Sequence, residues 1–391
     1  MYQKSSLKKF SPIAYRVVCI CILVALIAQE LLLLQRSRQI LPLCQQKLGS
    51  EKETCFIRAV QTTLRQKGVA GAFQKLDTLY RADPSFSVVC HSLTHEIGAY
   101  AYEQFVRDQK FSVSRDFAAC SYGFYHGFME RLAGQPDVAE KARTFCDEVD
   151  RQMRNITPDA TLQCYHGIGH GFVNNHDPAT WGDETKLIGP ALALCERVST
   201  TQSEKSRCAT GVFNGIATFY NEKLYNLAVN SKDPLWICGK EKKEYQDPCY
   251  ISLNITLLEL TNGDIVKAAK FFEPIADDVM AVHAMINLAA PVGTKNINSR
   301  DHQESVAACR SVAPRLRLAC IQGYAFGMLE HGIPGREYEK PLAFCGSTQL
   351  TSAEGDACYQ YIIGYLPQWY PKEKVLNICA DLPVGYRQRC L

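Results

Sequence analysis

Apolar residues recur along this chain at helical spacing, three or four residues apart, and not in the strict alternation of strands. The segments Pro190-ALALCERVS and Ser305-VAACRSVA show the pattern clearly, because each predicts a helix that ends just past a cysteine and is followed by a polar turn. Residues 265–272 and 279–288 predict another helical pair, and residues 56–89 predict a further one that is broken near 81–84. We find no run of alternating β-branched residues between hairpin turns. The pattern therefore predicts an all-α fold.

One apolar segment near the N-terminus differs from these amphipathic helices. Basic residues precede the unbroken apolar run 17–28, and a leucine-rich tail over 31–34 brings the segment to membrane-spanning length. The expected cleavage signal is poor at Leu26-Ile27-Ala28, so we predict an uncleaved signal anchor over residues 12–35, with a cleaved signal peptide as the alternative. The charge bias places residues 1–11 in the cytoplasm and the bulk of the chain on the exoplasmic side, in a periplasm or a secretory lumen.

The remaining chain carries a repeat that is marked by cysteine and glycine. The strings Cys120-SYGFYHGF, Cys164-YHGIGHGF, Cys208-ATGVFNGI and Cys320-IQGYAFGM are similar, and each has a glycine three residues after its cysteine. The first three strings follow one another at about 40 residues, a period that predicts helical hairpins stacked in the manner of an α-solenoid. The recurring glycine indicates close contact between helices, since glycine costs about 1 kcal/mol relative to alanine within a helix. We divide the array into N-terminal repeats over residues 36–185 and C-terminal repeats over residues 186–391.

Sixteen of the 18 cysteines fall into consecutive pairs, most of them 11 or 13 residues apart. Such an even, regularly spaced set predicts local disulfides across the hairpin turns and an oxidising compartment. The predicted pairs are Cys44–Cys55, Cys90–Cys120, Cys146–Cys164, Cys195–Cys208, Cys238–Cys249, Cys309–Cys320, Cys345–Cys358 and Cys379–Cys390. In hairpin design and staple placement, the chain resembles the cysteine-stapled helical repeats of secreted bacterial proteins. It lacks their alanine and leucine signature, and the resemblance implies no function.

Charge and motifs narrow the range of functions. The net charge of +3 is spread without a basic stripe, so nucleic acid is not expected as a partner. The apolar N-terminal segment instead makes the membrane an expected partner. No phosphate-binding loop, dinucleotide fingerprint or nucleophile elbow is present, and the paired cysteines leave no thiol for catalysis. The sequence around His91 matches neither zinc-protease motif, because the glutamate Glu96 lies outside the His91–His95 pair.

Histidines supply the strongest candidate chemistry. Five of the nine histidines of the chain lie between His91 and His170, in ligand-type pairs four residues apart. On a helix this spacing places both side chains on one face, near enough to share a metal ion. The pairs are His91/His95, His126/Glu130 and His166/His170. If they converge, their side chains should lie within about 8 Å of one centre.

Five imidazoles with one carboxylate suit a transition metal, either zinc, copper or iron, better than calcium or magnesium. The set exceeds what one tetrahedral zinc requires, so either a dinuclear centre or a mononuclear centre with nearby catalytic histidines is expected. Glu130 or Glu96 would serve as ligand or general base, and Glu96 and His176 are further candidates for ligands or outer groups. The predicted protein is then a membrane-anchored enzyme with hydrolytic or oxidative chemistry.

A non-catalytic interpretation stands beside this one. Histidines at tight helix contacts can simply pack and hydrogen bond to carbonyls, as we expect of His283, His302 and His331, which have no partner at helical spacing. The protein would then be a scaffold whose repeat surface binds another envelope or lumenal protein. The clustering of histidines in the early repeats favours a functional site, since later repeats carry Asn214 and Phe326 at the same position.

Overall fold

The computed structural model describes residues 44–108, 112–174, 178–388 and 390. Within these residues every regular element is a helix, which confirms the all-α prediction. The α-helices are α1 (Gly49–Ala82), α2 (Ser87–Asp108), α3 (Gly123–Ala133), α4 (Val138–Met153), α5 (Ala160–Val173), α6 (Glu184–Val198), α7 (Gln202–Glu222), α8 (Trp236–Lys240), α9 (Lys243–Ser252), α10 (Asn254–Leu260), α11 (Ile265–Ala269), α12 (Asp278–Lys295), α13 (Gln303–Ser311), α14 (Arg317–Glu330), α15 (Glu339–Cys345), α16 (Ser352–Trp369), α17 (Lys372–Ala380) and α18 (Val384–Arg387).

Polar turns end each hairpin arm and begin the next, as the sequence pattern predicts. Helix α7 starts at a capping box in which the Thr201 hydroxyl accepts from the backbone N–H of Glu204 and the Glu204 carboxylate accepts from the N–H of Thr201. Helix α16 starts in the same way at Thr351 and Glu354. Because these caps lie upstream of Cys208 and Cys358, each second cysteine sits inside its helix and not at its start.

The sixteen cysteines of the described residues are joined in the eight pairs that the sequence predicts. Their Cα–Cα distances run from 5.3 to 5.8 Å, the normal range for disulfides. Each pair joins two segments that are neighbours along the chain. The staples therefore fix the hairpins individually and leave the hairpins to be held together by packing.

The hairpins stack so that one helix of each lies in an inner layer. Consecutive inner helices α2, α3, α5, α7, α9, α12, α14 and α16 pack side by side, while α1, α4, α6, α13 and α15 flank them on the outside. Glycines bring the inner helices unusually close, since a Cβ atom at Gly211 would lie 1.9 Å from the His166 carbonyl oxygen and one at Gly327 would lie 1.8 Å from that of Ala290. The recurring glycine of the repeat is thus a contact glycine, as predicted.

The two ends of the array meet, so the stack does not remain the open solenoid that the repeat suggests. The backbone N–H of Asp159 donates to the Gln368 carbonyl over 3.1 Å, and the rings of Tyr122 and Trp369 lie 5.8 Å apart. At the same seam, Arg81 donates to the carbonyl of Pro334 over 3.0 Å. The inner helices therefore surround a common central space, a closure that local periodicity does not reveal.

Two predictions about chain organisation stand apart from this fold. The predicted signal anchor over residues 12–35 lies outside the described residues, and among the helices of residues 44–390 that the structure describes, none is long and apolar enough to span a bilayer. The boundary predicted between residues 185 and 186 falls inside helix α6, which runs from Glu184 to Val198. Helices α5 and α7, on either side of it, pack directly together.

Candidate metal centre

Helix α2 presents two imidazoles to the inner layer. His91 and His95 are one helical turn apart, and their Nε2 atoms lie 3.1 Å from each other. A turn of helix stacks side chains at positions i and i+4 on the same face, so the backbone itself places these two rings together. The spacing that marks them in the sequence is therefore the spacing that brings their nitrogens into contact.

Helix α3 adds the third imidazole. Nδ1 of His126 lies 3.0 Å from Nε2 of His95, and the ligand atoms of His91, His95 and His126 all lie within 4.8 Å of one another. Two nitrogens bound to one tetrahedral zinc are about 3.3 Å apart, given bonds of about 2.05 Å. The three-histidine cluster of His91, His95 and His126 therefore could hold a metal ion.

The two imidazoles of α2 are oriented by contacts of their Nδ1 atoms, which face away from the cluster. Nδ1 of His91 lies 2.8 Å from the carbonyl oxygen of Cys120, and Nδ1 of His95 lies 3.4 Å from Oε1 of Glu130. A carbonyl oxygen can only accept, so His91 carries its proton on Nδ1 and turns the lone pair of Nε2 toward the cluster. The ionised carboxylate of Glu130 likewise accepts from Nδ1 of His95, which leaves the lone pair of its Nε2 atom toward the cluster. Metal-binding histidines are commonly held by such outer hydrogen bonds.

The turn that presents the Cys120 carbonyl has an unusual backbone. Cys120, Ser121 and Tyr122 all have φ between 57° and 59°, a left-handed turn made without glycine. Each such residue costs roughly 1 kcal/mol relative to the right-handed form, so packing around it must hold the turn in place. The disulfide from Cys120 to Cys90 anchors it to α2, one residue away from His91.

Helix α5 places its histidine pair beside the three-histidine cluster. The ring of His170 stacks on that of His126 with centroids 4.8 Å apart, and the ring of His166 lies 4.9 Å from the same ring. Nδ1 of His166 donates over 2.8 Å to the hydroxyl of Thr210, which in turn donates to the carbonyl of Arg207. Nδ1 of His170 lies 3.2 Å from Oε1 of Glu130, but among the described residues it has no hydrogen-bond partner.

Burial favours the neutral form of His91, His126 and His166, which is the form that binds metal. Removal from water, with the charges of His95 and His331, lowers the pKa of His91 to about 3. Burial likewise holds the pKa of His126 and of His166 well below the usual value of a histidine. These rings are therefore neutral near pH 7, and their lone pairs are available to a cation.

Glu130 is the anion of the site. Burial alone would raise its pKa, but the imidazoles of His170 and His95 beside the carboxylate outweigh burial and hold the pKa well below the usual range. Its Oε1 atom faces Nδ1 of both rings. Glu130 thus joins α2, α3 and α5 through one carboxylate.

The predicted site residues do not all share this location. The structure brings together His91, His95, His126, Glu130, His166 and His170, as expected. Glu96 is exposed and accepts from Gln61 over 2.9 Å, because consecutive helical residues are 100° apart and Glu96 cannot share the face of His95. We therefore withdraw Glu96 as a catalytic group. His176 lies outside the described residues.

The later histidines behave mostly as packing or surface groups. His283 pairs with Asp247 over 3.1 Å, and Nδ1 of His302 lies 2.8 Å from the Tyr324 hydroxyl. Removal from water lowers the pKa of His331 to about 4, so this ring is neutral near pH 7. No spacing rule pointed to Thr210, because its contact with His166 joins residues that are 44 positions apart in the sequence.

The donor set fits a borderline transition metal. Imidazole nitrogens suit zinc, copper and iron, whereas calcium and magnesium require several oxygen ligands. No protein-family model matches the chain, and comparison with curated proteins and with solved structures finds no significant match.

Proposed function

We propose that this protein is a metal-dependent enzyme in which His91, His95 and His126 bind one transition metal ion and support hydrolysis. The observation that carries the proposal is the convergence of three ring nitrogens within 4.8 Å, on helices whose approach is set by glycine contacts. Three histidine ligands with a position left open are typical of catalytic zinc, whereas structural zinc sites are closed by four ligands. We therefore favour a mononuclear centre over a dinuclear one.

A metal ion bound there would act as a Lewis acid and would lower the pKa of a water molecule at the open position. The residues of the chain would do the remaining work. Glu130 would orient His95, because its low pKa makes it a firm hydrogen-bond acceptor and a poor base. His170, stacked on His126 and with Nδ1 3.2 Å from Oε1 of Glu130, lies beside the three-histidine cluster and would serve as general base for a bound water molecule. We thus move the role of general base from Glu130 to His170.

The closure of the array supports a small-molecule substrate. A protein partner on a concave surface would need an open groove, but contacts such as Asp159 to Gln368 join the first repeats to the last. The inner helices line a partly open cavity of about 500 Å³, which is of the size that binds small molecules. The disulfides support an oxidising compartment, and a single-pass protein with its bulk on the exoplasmic side remains our proposal for its location.

Metal replacement tests this proposal and the type of reaction. Protein made without a histidine tag would be stripped with a chelator and reloaded separately with zinc, copper or iron(II). We expect zinc to restore hydrolysis of p-nitrophenyl acetate, and His126→Ala to abolish this activity while His302→Ala retains it. Oxygen uptake restored by copper or iron, without hydrolysis, would replace the hydrolytic assignment with an oxidative one. If no metal is retained, the packing interpretation and the scaffold hypothesis take over.

A further inference from the structure

Inner helices of the array line a partly open cavity of about 500 Å³, here called the central cavity. Thr210 links the cavity to the three-histidine cluster, since it lines the cavity and accepts a hydrogen bond from Nδ1 of His166, whose ring lies 4.9 Å from that of His126. Arg207 also lines the cavity, and its charge helps to lower the pKa of His166, after the larger effect of burial. The cavity and the cluster are therefore adjacent parts of one interior.

The repeat explains why both lie on the same face. His126 and His170 each stand six residues after a repeat cysteine, and Phe326 stands six residues after Cys320. Phe326 lines the cavity. The early repeats thus supply imidazoles to the interior at this position, whereas a later repeat supplies an aromatic wall.

Planar polar groups form one part of the cavity lining. Nη2 of Arg207 lies 3.4 Å from Oδ1 of Asp159, and the amide of Gln163 donates to Oδ2 of the same carboxylate over 2.6 Å. A guanidinium carries five N–H donors in a fixed fork, so Arg207 keeps donors for a ligand after this contact. Glu330 adds a second carboxyl group to the lining.

Aromatic rings form another part of the cavity lining. Phe326 is 4.9 Å from Tyr365 and 5.9 Å from Tyr361, measured between ring centroids, and the two tyrosine rings are 4.9 Å apart. All three are partly exposed and line the cavity. Trp369 completes this aromatic wall. Such a surface offers flat apolar contact next to polar groups that can bond in the plane of a ligand.

The balance of charge in the cavity argues against strongly charged ligands. The cation Arg207 is matched by Asp159, and His283, which also lines the cavity, is paired with Asp247. Burial raises the pKa of Glu330 to about 7, so this group is partly neutral at physiological pH and can both donate and accept hydrogen bonds. A neutral ligand rich in hydroxyl groups, with apolar ring faces, fits both the polar and the aromatic groups of the lining.

We propose that the central cavity binds a neutral carbohydrate, with Arg207, Asp159 and Glu330 engaging its hydroxyl groups and Phe326, Tyr361 and Tyr365 stacking on its ring faces. The inference rests on the proposed function only in treating this sugar as the substrate of the neighbouring metal centre. Binding itself needs the cavity and not the metal.

Calorimetric titration of the full chain tests the ligand class. The probes are maltose, cellobiose and N,N′-diacetylchitobiose, with inorganic phosphate and choline as charged comparisons. We expect at least one of the saccharides to bind with a dissociation constant of about 1 mM or tighter, and the charged probes to bind more weakly. Binding of phosphate or choline but of no saccharide would overturn the proposal, and so would the absence of any binding.

Variants locate the binding site within the molecule. Tyr361→Ala and Phe326→Ala should each weaken saccharide binding at least tenfold, whereas Trp181→Ala, which removes a 40% exposed ring outside the cavity lining, should leave it unchanged. Arg207→Lys keeps the charge but removes the fork, and the same loss is expected. Circular dichroism and melting temperature would show that each variant is folded. Saccharide affinity that is equal in all four variants would place the ligand elsewhere and overturn the proposal.

The two proposals fail separately. If His126→Ala loses metal but still binds the saccharide, both are supported. If the wild type binds saccharide but never metal, the proposed chemistry is wrong while the carbohydrate cavity stands. If it binds metal and no saccharide, the cavity assignment alone is wrong.

Discussion

A Cβ atom at Gly127 would lie 1.9 Å from the carbonyl oxygen of His95. No side chain fits at that distance, so glycine at this position allows α3 to lie directly against α2. His126, the residue before Gly127, reaches His95 across this contact with 3.0 Å between the two ring nitrogens. The packing of the repeat and the geometry of the three-histidine cluster therefore depend on the same contact.

Replacing Gly127 by alanine should disturb both the helix packing and the geometry of the three-histidine cluster. We expect Gly127→Ala to destabilise the protein by about 3 kcal/mol and to weaken metal binding in the folded protein, because the added methyl group forces the two helices apart. The matched control is Gly364→Ala in α16, where a Cβ atom meets nothing within 4 Å and a gain of up to about 1 kcal/mol is expected. Denaturant unfolding measures the stability of both variants. Equal stability of Gly127→Ala and the wild type would contradict the observed packing.

Much of this arrangement was accessible from sequence, because local rules govern it. The turn-bracketing cysteines gave the pairs, and the spacing of His91 and His95 gave their common face. The repeat register correctly aligned His126 and His170. Glu96 was misplaced because sequence adjacency to His95 says nothing about helical face, and its carboxylate contacts Gln61.

The rest of the interior could not be inferred from local pattern. The central cavity joins Asp159 and Arg207 to Glu330 and Tyr361, residues of distant repeats that share no spacing rule. They meet because the ends of the array contact each other, as at Asp159 and Gln368. Closure depends on the small rotation from each hairpin to the next, and no single residue encodes it.

Glu130 should matter for metal affinity without being required for metal binding. Its carboxylate orients His95 and His170, so we expect Glu130→Gln to weaken metal binding 10- to 100-fold while the site still fills at saturating metal. Competition with a fluorescent chelator measures the affinity. Glu96→Gln is the control, since Glu96 is exposed and bonded to Gln61, and its affinity should match the wild type. Complete loss of binding in Glu130→Gln would instead make Glu130 a ligand.

The buried imidazoles predict that the metal-free protein loses stability in acid. In the unfolded chain a histidine takes up a proton below about pH 6.5, but native His91 does so only near its pKa of about 3. The unfolded state therefore binds more protons between these values, and stability falls as pH decreases through this window. His126 and His166 act in the same direction.

The expected slope is large enough to measure. Each such histidine contributes up to about 1.4 kcal/mol per pH unit well below pH 6.5. Urea unfolding of chelator-treated protein between pH 7 and pH 5 would test this, and His91→Asn should give a shallower dependence. Stability that is independent of pH over that interval would show that these rings are not buried in neutral form.

The disulfide next to the site should affect metal binding, unlike a remote one. The double variant Cys90→Ala/Cys120→Ala frees the turn whose carbonyl accepts from His91, so we expect lower metal affinity as well as a stability loss of about 3.5 kcal/mol for a 30-residue separation. The control variant, Cys379→Ala/Cys390→Ala, removes a disulfide across a separation of 11 residues. Its stability should fall by about 3 kcal/mol, and its metal affinity should not change. Equal metal affinity in the two double variants would show that the Cys90–Cys120 disulfide does not influence the metal site.

The central claim is that His91, His95 and His126 together hold one metal ion, and metal content measures it most directly. Untagged protein, exchanged into metal-free buffer after incubation with zinc, would be analysed by inductively coupled plasma mass spectrometry beside His126→Ala and His302→Ala. We predict one equivalent of metal in the wild type and in His302→Ala, and loss of at least nine-tenths of it in His126→Ala with the disulfide-stapled fold intact by circular dichroism. A wild type that retains no metal, or a His126→Ala variant that melts early with its metal content unchanged, would contradict the claim.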